Sequence, residues 1–341
     1  PMTPSIRYGL AALALLLLLL LLAAPVAAQP VATDYETLSA IYNYDPELPL
    51  NAEWDDELEA DGVPVRVVFD SVGGERVPAL VGLPPATTYG PGPYPAVIFG
   101  HGLGGSKDDS AYKGAMMILL QNGFATMLID FPAHGERSEP ALEALVDDGA
   151  ASLSEAEIAT HLGTVLSGMT QAVEDLRRSV DLLQTIDLVD PERIGYTGLS
   201  MGAILGATFS GVDDRLACSA LIVGGADWGE ILAGSQLTAD ARASGAVDPR
   251  AIGAFLRESD PMYFADHISA PTLLVFGGKD DVVPYETAGK LLESLVPEPK
   301  TVVVYEESGH LLEHSGDRFQ AIMVLNAFLT EHLLAPAESV N

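Results

Sequence analysis

One short stretch, residues 194–203 with the sequence IGYTGLSMGA, constrains the fold more than any other part of the chain. It predicts a buried strand that turns through Gly198, Ser200 and Gly202 directly into a helix of small residues. A serine on so tight a turn must adopt a strained backbone, and its neighbours must lack side chains so that strand and helix can approach. The turn would expose the Ser200 hydroxyl and direct the Met201 amide into the same space, as a nucleophile and an oxyanion donor require.

An ordinary glycine-rich turn has the same local pattern. The catalytic hypothesis therefore requires a base, an acid and a second oxyanion donor elsewhere in the chain. In a parallel sheet flanked by helices, these groups should follow the carboxyl ends of other strands, because ligand sites lie beyond those ends.

Composition limits the classes of protein and partner. The sequence has 341 residues, of which 48% are hydrophobic, so a substantial core is possible and a largely disordered protein is excluded. With 17 Lys and Arg against 48 Asp and Glu, the formal net charge is −31, which makes nucleic acid and anionic membranes poor partners. The single cysteine, Cys218, lies in an apolar run and permits no disulfide within this sequence.

The first 28 residues differ from the rest and predict a signal peptide. Arg7 precedes an Ala/Leu run over residues 10–24, and small residues follow as far as Ala28. The run is short for a membrane span. We expect cleavage after Ala28 and a secreted, periplasmic or extracellular protein without stable membrane association afterwards. An uncleaved amino-terminal anchor is the alternative.

The remaining chain divides into three parts. Residues 29–61 predict an extended acidic lead-in, and residues 336–341 a tail. Between them, residues 62–335 alternate strand-like and helix-like runs, which predicts an α/β fold with a mostly parallel, eight-stranded sheet and helices on both faces. Two long connections, residues 138–168 and 224–268, are candidate lids over the active face.

The candidate acid and base follow two successive predicted strands near the carboxyl end of the sequence. Asp280 comes shortly after one strand and His310 shortly after the next. The order Ser, Asp, His is that of an α/β hydrolase, in which histidine takes the serine proton and the carboxylate orients the histidine. Asp281 is an alternative acid, which we expect to point to the other side of the turn, and His314 is an alternative base.

The second oxyanion donor should lie in the glycine-rich loop 101–105, after the first central strand. Leu103 is the predicted donor, with Met201 as its partner. A glycine-rich loop can also hold phosphate, but the lysine and serine of a P-loop and a dinucleotide fingerprint are both missing.

A metal site is the alternative role for three residues at strand ends, His101, His134 and Asp130. No further ligand has suitable spacing beside the two histidines and the aspartate. We expect their rings to bridge loops near the site, and we expect neither a metal nor another cofactor.

These motifs together resemble those of secreted serine esterases of the α/β-hydrolase superfamily. In pattern the chain is similar to the branch with dienelactone-hydrolase-like, acetyl-xylan-esterase-like and prolyl-oligopeptidase-like enzymes. The matching segments follow the family's order: HGLGGS at 101–106, DFPAHG at 130–135, GLSMG at 198–202, GGKDDVVP at 277–284 and SGH at 308–310. The resemblance implies an α/β-hydrolase fold with Ser200 as nucleophile, His310 as base and Asp280 as acid. It also implies Leu103 and Met201 as the oxyanion hole.

The resulting functional prediction is hydrolysis of a small-molecule or polymer-attached carboxylic ester through an acyl-enzyme. A serine peptidase of the prolyl-oligopeptidase-like type is one alternative. A non-catalytic binding protein with the hydrolase fold is the other, although such proteins usually lack a residue of the triad.

Overall fold

The computed structural model describes residues 34–138, 155–243 and 248–334. The predicted signal peptide at 1–28 and the predicted tail at 336–341 lie outside the described residues. So do residues 139–154 of the first candidate lid. The domain boundaries assigned from the sequence therefore stay predictions.

A mixed sheet of nine strands forms the centre of the described structure. Its order is β1-β2-β3-β5-β4-β6-β7-β8-β9, with three antiparallel pairs from β1 to β5 and parallel pairing from β5 to β9. The predicted α/β class with a mostly parallel sheet is confirmed. The strands are β1 (Glu53–Trp54), β2 (Val65–Asp70), β3 (Arg76–Gly82), β4 (Tyr94–Gly100), β5 (Ala125–Ile129), β6 (Val189–Leu199), β7 (Cys218–Ile222), β8 (Thr272–Gly277) and β9 (Lys300–Tyr305).

The predicted number of eight strands was wrong, because the lead-in supplies an edge strand. β1 has two residues, Glu53 and Trp54, which pair with Val68 and Val67 of β2. Two residues carry no strand periodicity, so the sequence could not indicate this pairing. The lead-in is also not extended throughout: it contains a short helix and a 3-10 turn that ends at the fully buried Tyr42.

Helices cover both faces of the sheet. None of the helices in the described residues is long and apolar enough to cross a membrane. Two further segments, Tyr285–Gly289 and Thr330–Leu334, are π-helical. The helices are α1 (Tyr35–Ser39), α2 (Ala86–Tyr89), α3 (Ser110–Gln121), α4 (Glu155–Gln184), α5 (Met201–Val212), α6 (Trp228–Gly234), α7 (Ala239–Ala243), α8 (Pro249–Phe255), α9 (Lys290–Leu295) and α10 (Asp317–Leu329).

The alternation of side chains along the central strands explains the two helical layers. In β8, Leu274 packs in the same cluster as Leu176 of α4, whereas its neighbour Leu273 packs with Phe328 of α10. Successive side chains of a strand point to opposite faces, so a continuous apolar strand needs helices on both sides. The candidate site residues follow strands at the carboxyl edge of the parallel part of this sheet.

Candidate active site

Ser200 lies at the junction of β6 and α5, in a backbone conformation that L-residues rarely adopt. Its φ is 55° and its ψ −115°. The flanking positions have no room for a side chain, because a Cβ on Gly198 would lie 2.3 Å from the carbonyl oxygen of Gly202. A Cβ on Gly202 would in turn lie 2.3 Å from the carbonyl oxygen of Gly100. The expected strained turn is therefore present, and only glycine fits on either side of the serine.

The structure brings Ser200, His310 and Asp280 together in one hydrogen-bonded chain. His310 Nε2 lies 2.9 Å from Ser200 Oγ, and His310 Nδ1 lies 2.7 Å from Asp280 Oδ2. The Asp280 side chain is 2% exposed and that of His310 is 14% exposed. This geometry allows His310 to accept the serine proton while Asp280 holds the ring in the required tautomer.

A tight turn after β8 fixes the orientation of Asp280. Its second carboxylate oxygen, Oδ1, accepts hydrogen bonds from the amides of Val282 and Val283, each at 2.9 Å. One oxygen is thus held by the backbone and the other faces the histidine.

The two alternative residues lie outside this chain of hydrogen bonds. Asp281 is exposed, and the contact it makes is through its backbone carbonyl, which accepts from the amide of Gln236 at 2.6 Å. His314 lies before α10, with Nδ1 3.6 Å from a carboxylate oxygen of Asp317.

The predicted oxyanion donors flank the serine. Met201 is the first residue of α5, and a helix offers no carbonyl partner to its first amide. The amides of Ala203 and Ile204 already donate to the Ser200 carbonyl, at 2.8 and 2.9 Å, and the Ser200 side chain makes no capping hydrogen bond. The loop of Leu103 passes close by, since a Cβ on Gly102 would lie 3.6 Å from the Cβ of Ser200. The roles of Leu103 and Met201 as donors stay predictions.

Solved structures of known proteins have the same architecture. An acetyl xylan esterase from Paenibacillus sp. R4 superposes with a TM-score of 0.64 at 20% identity, over 89% of this chain and 97% of that chain. Acetyl xylan esterase 1 from Thermoanaerobacterium sp. JW/SL YS485 gives 0.64 at 19% identity, over 88% and 95%. The acylaminoacyl peptidase of Pyrococcus horikoshii gives 0.59 at 18% identity and covers 84% of this chain but 44% of that chain.

Sequence comparisons agree with the structural ones. Residues 168–335, just under half of the chain, match the model of the prolyl oligopeptidase family, Peptidase_S9. A Bacillus subtilis (strain 168) protein named "Putative hydrolase YtaP" is 28% identical over 174 residues, which are 47% of this chain and 52% of that protein. The chain thus spans about half the length of this curated relative. These matches show that the chain has the α/β-hydrolase fold. The resemblance expected from its motifs is confirmed at the level of the fold.

His101 supports the glycine-rich loop 101–105. Its Nδ1 lies 2.8 Å from the carbonyl oxygen of Gly102, and its Nε2 accepts the amide of Phe131 at 3.1 Å. Because a carbonyl only accepts and an amide only donates, these partners require the neutral tautomer with hydrogen on Nδ1. Burial and the nearby His134 lower the pKa of His101 to about 3. The ring bridges two loops beside the site, as expected from the sequence.

Asp130, the third residue of the alternative metal reading, is held by other groups. Its Oδ1 accepts the amide of Lys107 at 2.7 Å and its Oδ2 the amide of Glu136 at 3.0 Å. The Lys107 ammonium, itself 1% exposed, lies 3.2 Å from Oδ2. Within the described ranges, no group of three or more His, Cys, Asp or Glu side chains is placed to hold a metal ion.

Tyr196 is a residue of the site that the sequence analysis missed. Its hydroxyl donates to the carbonyl oxygen of Gly202 at 2.5 Å, next to the turn that carries Ser200. The side chain is fully buried. A buried tyrosine hydroxyl normally has a hydrogen-bond partner, so a lone tyrosine two residues before Gly198 was an available signal.

The second connection, residues 224–268, lies beside the turn that carries Asp280. The Gln236 amide donates to the Asp281 carbonyl, and a Cβ on Gly234 would lie 2.6 Å from Cγ of Pro284. The connection is tied together by the buried Asp260, which accepts the amides of Asp227 and Trp228 at 2.9 and 2.8 Å. Residues of the segment 224–268 therefore border the candidate site, next to the turn that positions Asp280.

Replacing His101 should change how stability depends on pH. His101 stays neutral in the folded protein because its pKa is about 3, whereas the usual value is 6.5. The unfolded chain therefore binds more protons between these values, and stability falls as pH falls through 6.5 towards 3. We expect this group to lower the wild-type free energy of unfolding by about 2 kcal/mol from pH 7 to pH 5.

The measurement is urea unfolding of wild type and His101→Gln at both pH values. The stability advantage of the wild type should shrink by this amount at the lower pH, because the glutamine variant has no such proton. Parallel pH dependences of the two proteins would contradict the assignment of a buried, neutral His101.

Proposed function

We propose that this α/β hydrolase is a serine hydrolase that cleaves carboxylic esters through an acyl-enzyme. The observation that carries the proposal is the chain of hydrogen bonds from Ser200 Oγ through His310 to Asp280, at 2.9 and 2.7 Å. A serine hydroxyl is a weak nucleophile unless an adjacent base takes its proton. These distances supply such a base and a carboxylate to orient it.

In the proposed reaction, Ser200 Oγ attacks the acyl carbon while its proton passes to His310 Nε2. The carbonyl oxygen becomes an oxyanion, to which the amides of Leu103 and Met201 donate hydrogen bonds. Collapse of the tetrahedral intermediate breaks the bond to the alkoxy group, and His310 returns the proton to the leaving alcohol.

Water completes the cycle. His310 takes a proton from the water that attacks the acyl-Ser200 carbonyl and then returns it to Ser200 Oγ, so that the acid is released and the enzyme is restored. Throughout, Asp280 carries the negative charge that stabilises the imidazolium form of His310.

The share of each structural relative that this chain matches supports an ester substrate. The two acetyl xylan esterases are matched over 97% and 95% of their own chains, whereas the Pyrococcus horikoshii acylaminoacyl peptidase is matched over 44%. We therefore propose a small-molecule or polymer-attached ester. With the predicted signal peptide at 1–28, we also propose that the substrate is met outside the cytoplasm.

Cleavage of peptide bonds is the second candidate. It is favoured by the match of residues 168–335 to the prolyl oligopeptidase family. The same nucleophile and base serve either reaction, since both pass through an acyl-enzyme. Ester cleavage and peptide cleavage differ in the leaving group, an alcohol or an amine, and in the residues that surround it.

Labelling with a fluorophosphonate tests for a serine hydrolase. We expect the wild type to be labelled and Ser200→Ala to lose the label, because the probe reacts with an activated serine. Ser106→Ala, directly after the glycine-rich loop 101–105, is the matched control and should keep the label. A folded wild type that does not react would contradict the proposal and leave a non-catalytic binding protein.

The type of bond is tested on the same proteins with p-nitrophenyl esters of graded acyl length and with peptide p-nitroanilides. We expect turnover of the esters at a kcat/KM at least about 100-fold above that of the anilides, a margin of about 2.7 kcal/mol in transition-state binding. Faster cleavage of the anilides would favour the peptidase.

Asp280 and Asp281 form a matched pair for testing the acid. Asp280→Asn should lower kcat by about three to four orders of magnitude, because the amide no longer supports the required tautomer and charge of His310. Asp281→Asn changes an exposed side chain and should leave kcat within about two-fold, well under 1 kcal/mol in barrier. Steady-state kinetics of both variants on one ester decides the point, and a larger loss in Asp281→Asn would reverse the assignment.

A further inference from the structure

The loop after β4 presents one residue, Gly102, whose two peptide groups are both fixed by hydrogen bonds. Its amide donates to the hydroxyl of Tyr112 at 2.8 Å. Its carbonyl oxygen accepts from the amide of Gly105 at 2.9 Å and lies 2.8 Å from His101 Nδ1. Both rotatable bonds of the Gly102 backbone are thereby constrained.

These hydrogen bonds determine which backbone amide of the loop is available to donate a hydrogen bond to an oxyanion. In a trans peptide, N–H and C=O point in opposite directions. Since the Gly102 carbonyl points towards His101 and Gly105, the amide of Leu103, in the same peptide, points away from them. The Gly102 amide is occupied by the tyrosine hydroxyl, so it does not compete with Leu103 as the donor.

Tyr112 is itself held firmly in α3. Its ring contacts Phe99 in an edge-to-face arrangement at 5.5 Å between centroids and lies 6.2 Å from the ring of His101. A Cβ on Gly105 would lie 2.9 Å from Cε2 of this ring. Burial raises the pKa of Tyr112, so the hydroxyl stays neutral.

The hydroxyl also lies beside the nucleophile. A Cβ built on Gly102 would be 3.3 Å from Tyr112 Oη and 3.6 Å from the Cβ of Ser200, so both groups border the same space above Gly102. A small rotation of the peptide group between Gly102 and Leu103 would therefore displace the Leu103 amide relative to Ser200.

We propose that Tyr112 is a positioning residue of the oxyanion site: its hydroxyl accepts the Gly102 amide and so orients the Leu103 amide towards the substrate oxygen. The proposal rests on the proposed function and extends it to a residue outside the predicted triad and oxyanion hole. It assigns to the hydroxyl, and not to the ring, an effect on the transition state.

Tyr112→Phe tests the proposal, because it removes one oxygen atom and keeps the ring contacts. We expect kcat for an ester to fall about 10-fold with KM within about two-fold, since an oxyanion donor acts mainly in the transition state. Inhibition by a trifluoromethyl ketone, whose adduct carries an oxyanion, should weaken by about the same factor.

Tyr89→Phe is the matched control. The Tyr89 hydroxyl also bonds to a backbone group, the carbonyl oxygen of Gln121 at the end of α3. This variant removes a hydrogen bond that a tyrosine of α2 donates to the far end of α3, and it should leave kcat and inhibitor affinity within about two-fold of wild type.

Each outcome of these measurements either supports Tyr112 as a positioning residue or contradicts it. Wild-type kcat and inhibitor affinity in Tyr112→Phe would overturn the proposal, as would a failure of this variant to fold while Tyr89→Phe folds, because Tyr112 would then act on the fold. A rise in KM alone would also overturn it. If the wild type neither hydrolyses esters nor reacts with a fluorophosphonate, the proposed function fails instead.

Discussion

The close approach of β6 and α5 at Ser200 is the constraint on which the candidate site depends. A serine held at a φ of 55° costs about 1–3 kcal/mol, which the surrounding structure must offset. The serine amide donates to the Ile222 carbonyl at 2.9 Å, and the Tyr196 hydroxyl holds the Gly202 carbonyl. Strand pairing and one buried hydroxyl therefore fix the turn from both sides.

The same turn determines what can lie next to it. Because Gly202 lies against the backbone of Gly100, the end of β4 is placed beside Ser200, and the glycine-rich loop starts there. His101 and Tyr112 then orient the loop by bonding the two sides of Gly102. The candidate acid Asp280 and the candidate base His310 follow β8 and β9, which come after β7 in the sheet order.

Buried ion pairs near the site contrast with the strongly acidic surface. Lys107 lies within ion-pair distance of Asp130, and Arg137 lies 2.5 Å from the buried Asp175. Such pairs contribute little net stability once desolvation is included, but removal of one partner leaves an expensive buried charge. Their effect here is to fix the loops after β4 and β5. Among the residues whose burial the structure describes, only five acidic side chains, all aspartates, are buried.

The sequence predicted those features that depend on local pattern and on the topology of a parallel sheet. Ser200, Asp280 and His310 follow strands whose carboxyl ends meet at one edge, so their convergence could be expected before any coordinates. Features that depend on distant partners could not be predicted. The two-residue β1 and the burial of Tyr42 depend on contacts with β2 and with the second connection, and no short-range signal specifies them.

The proposed reaction requires that Ser200 form an acyl-enzyme. Mass spectrometry of the protein, quenched in acid during turnover of a slowly hydrolysed ester, tests this step directly. We expect a transient mass increase equal to the acyl group, located on the peptide that contains Ser200 and absent from Ser200→Ala. Acylation at another residue, or ester turnover in Ser200→Ala at the wild-type rate, would contradict it.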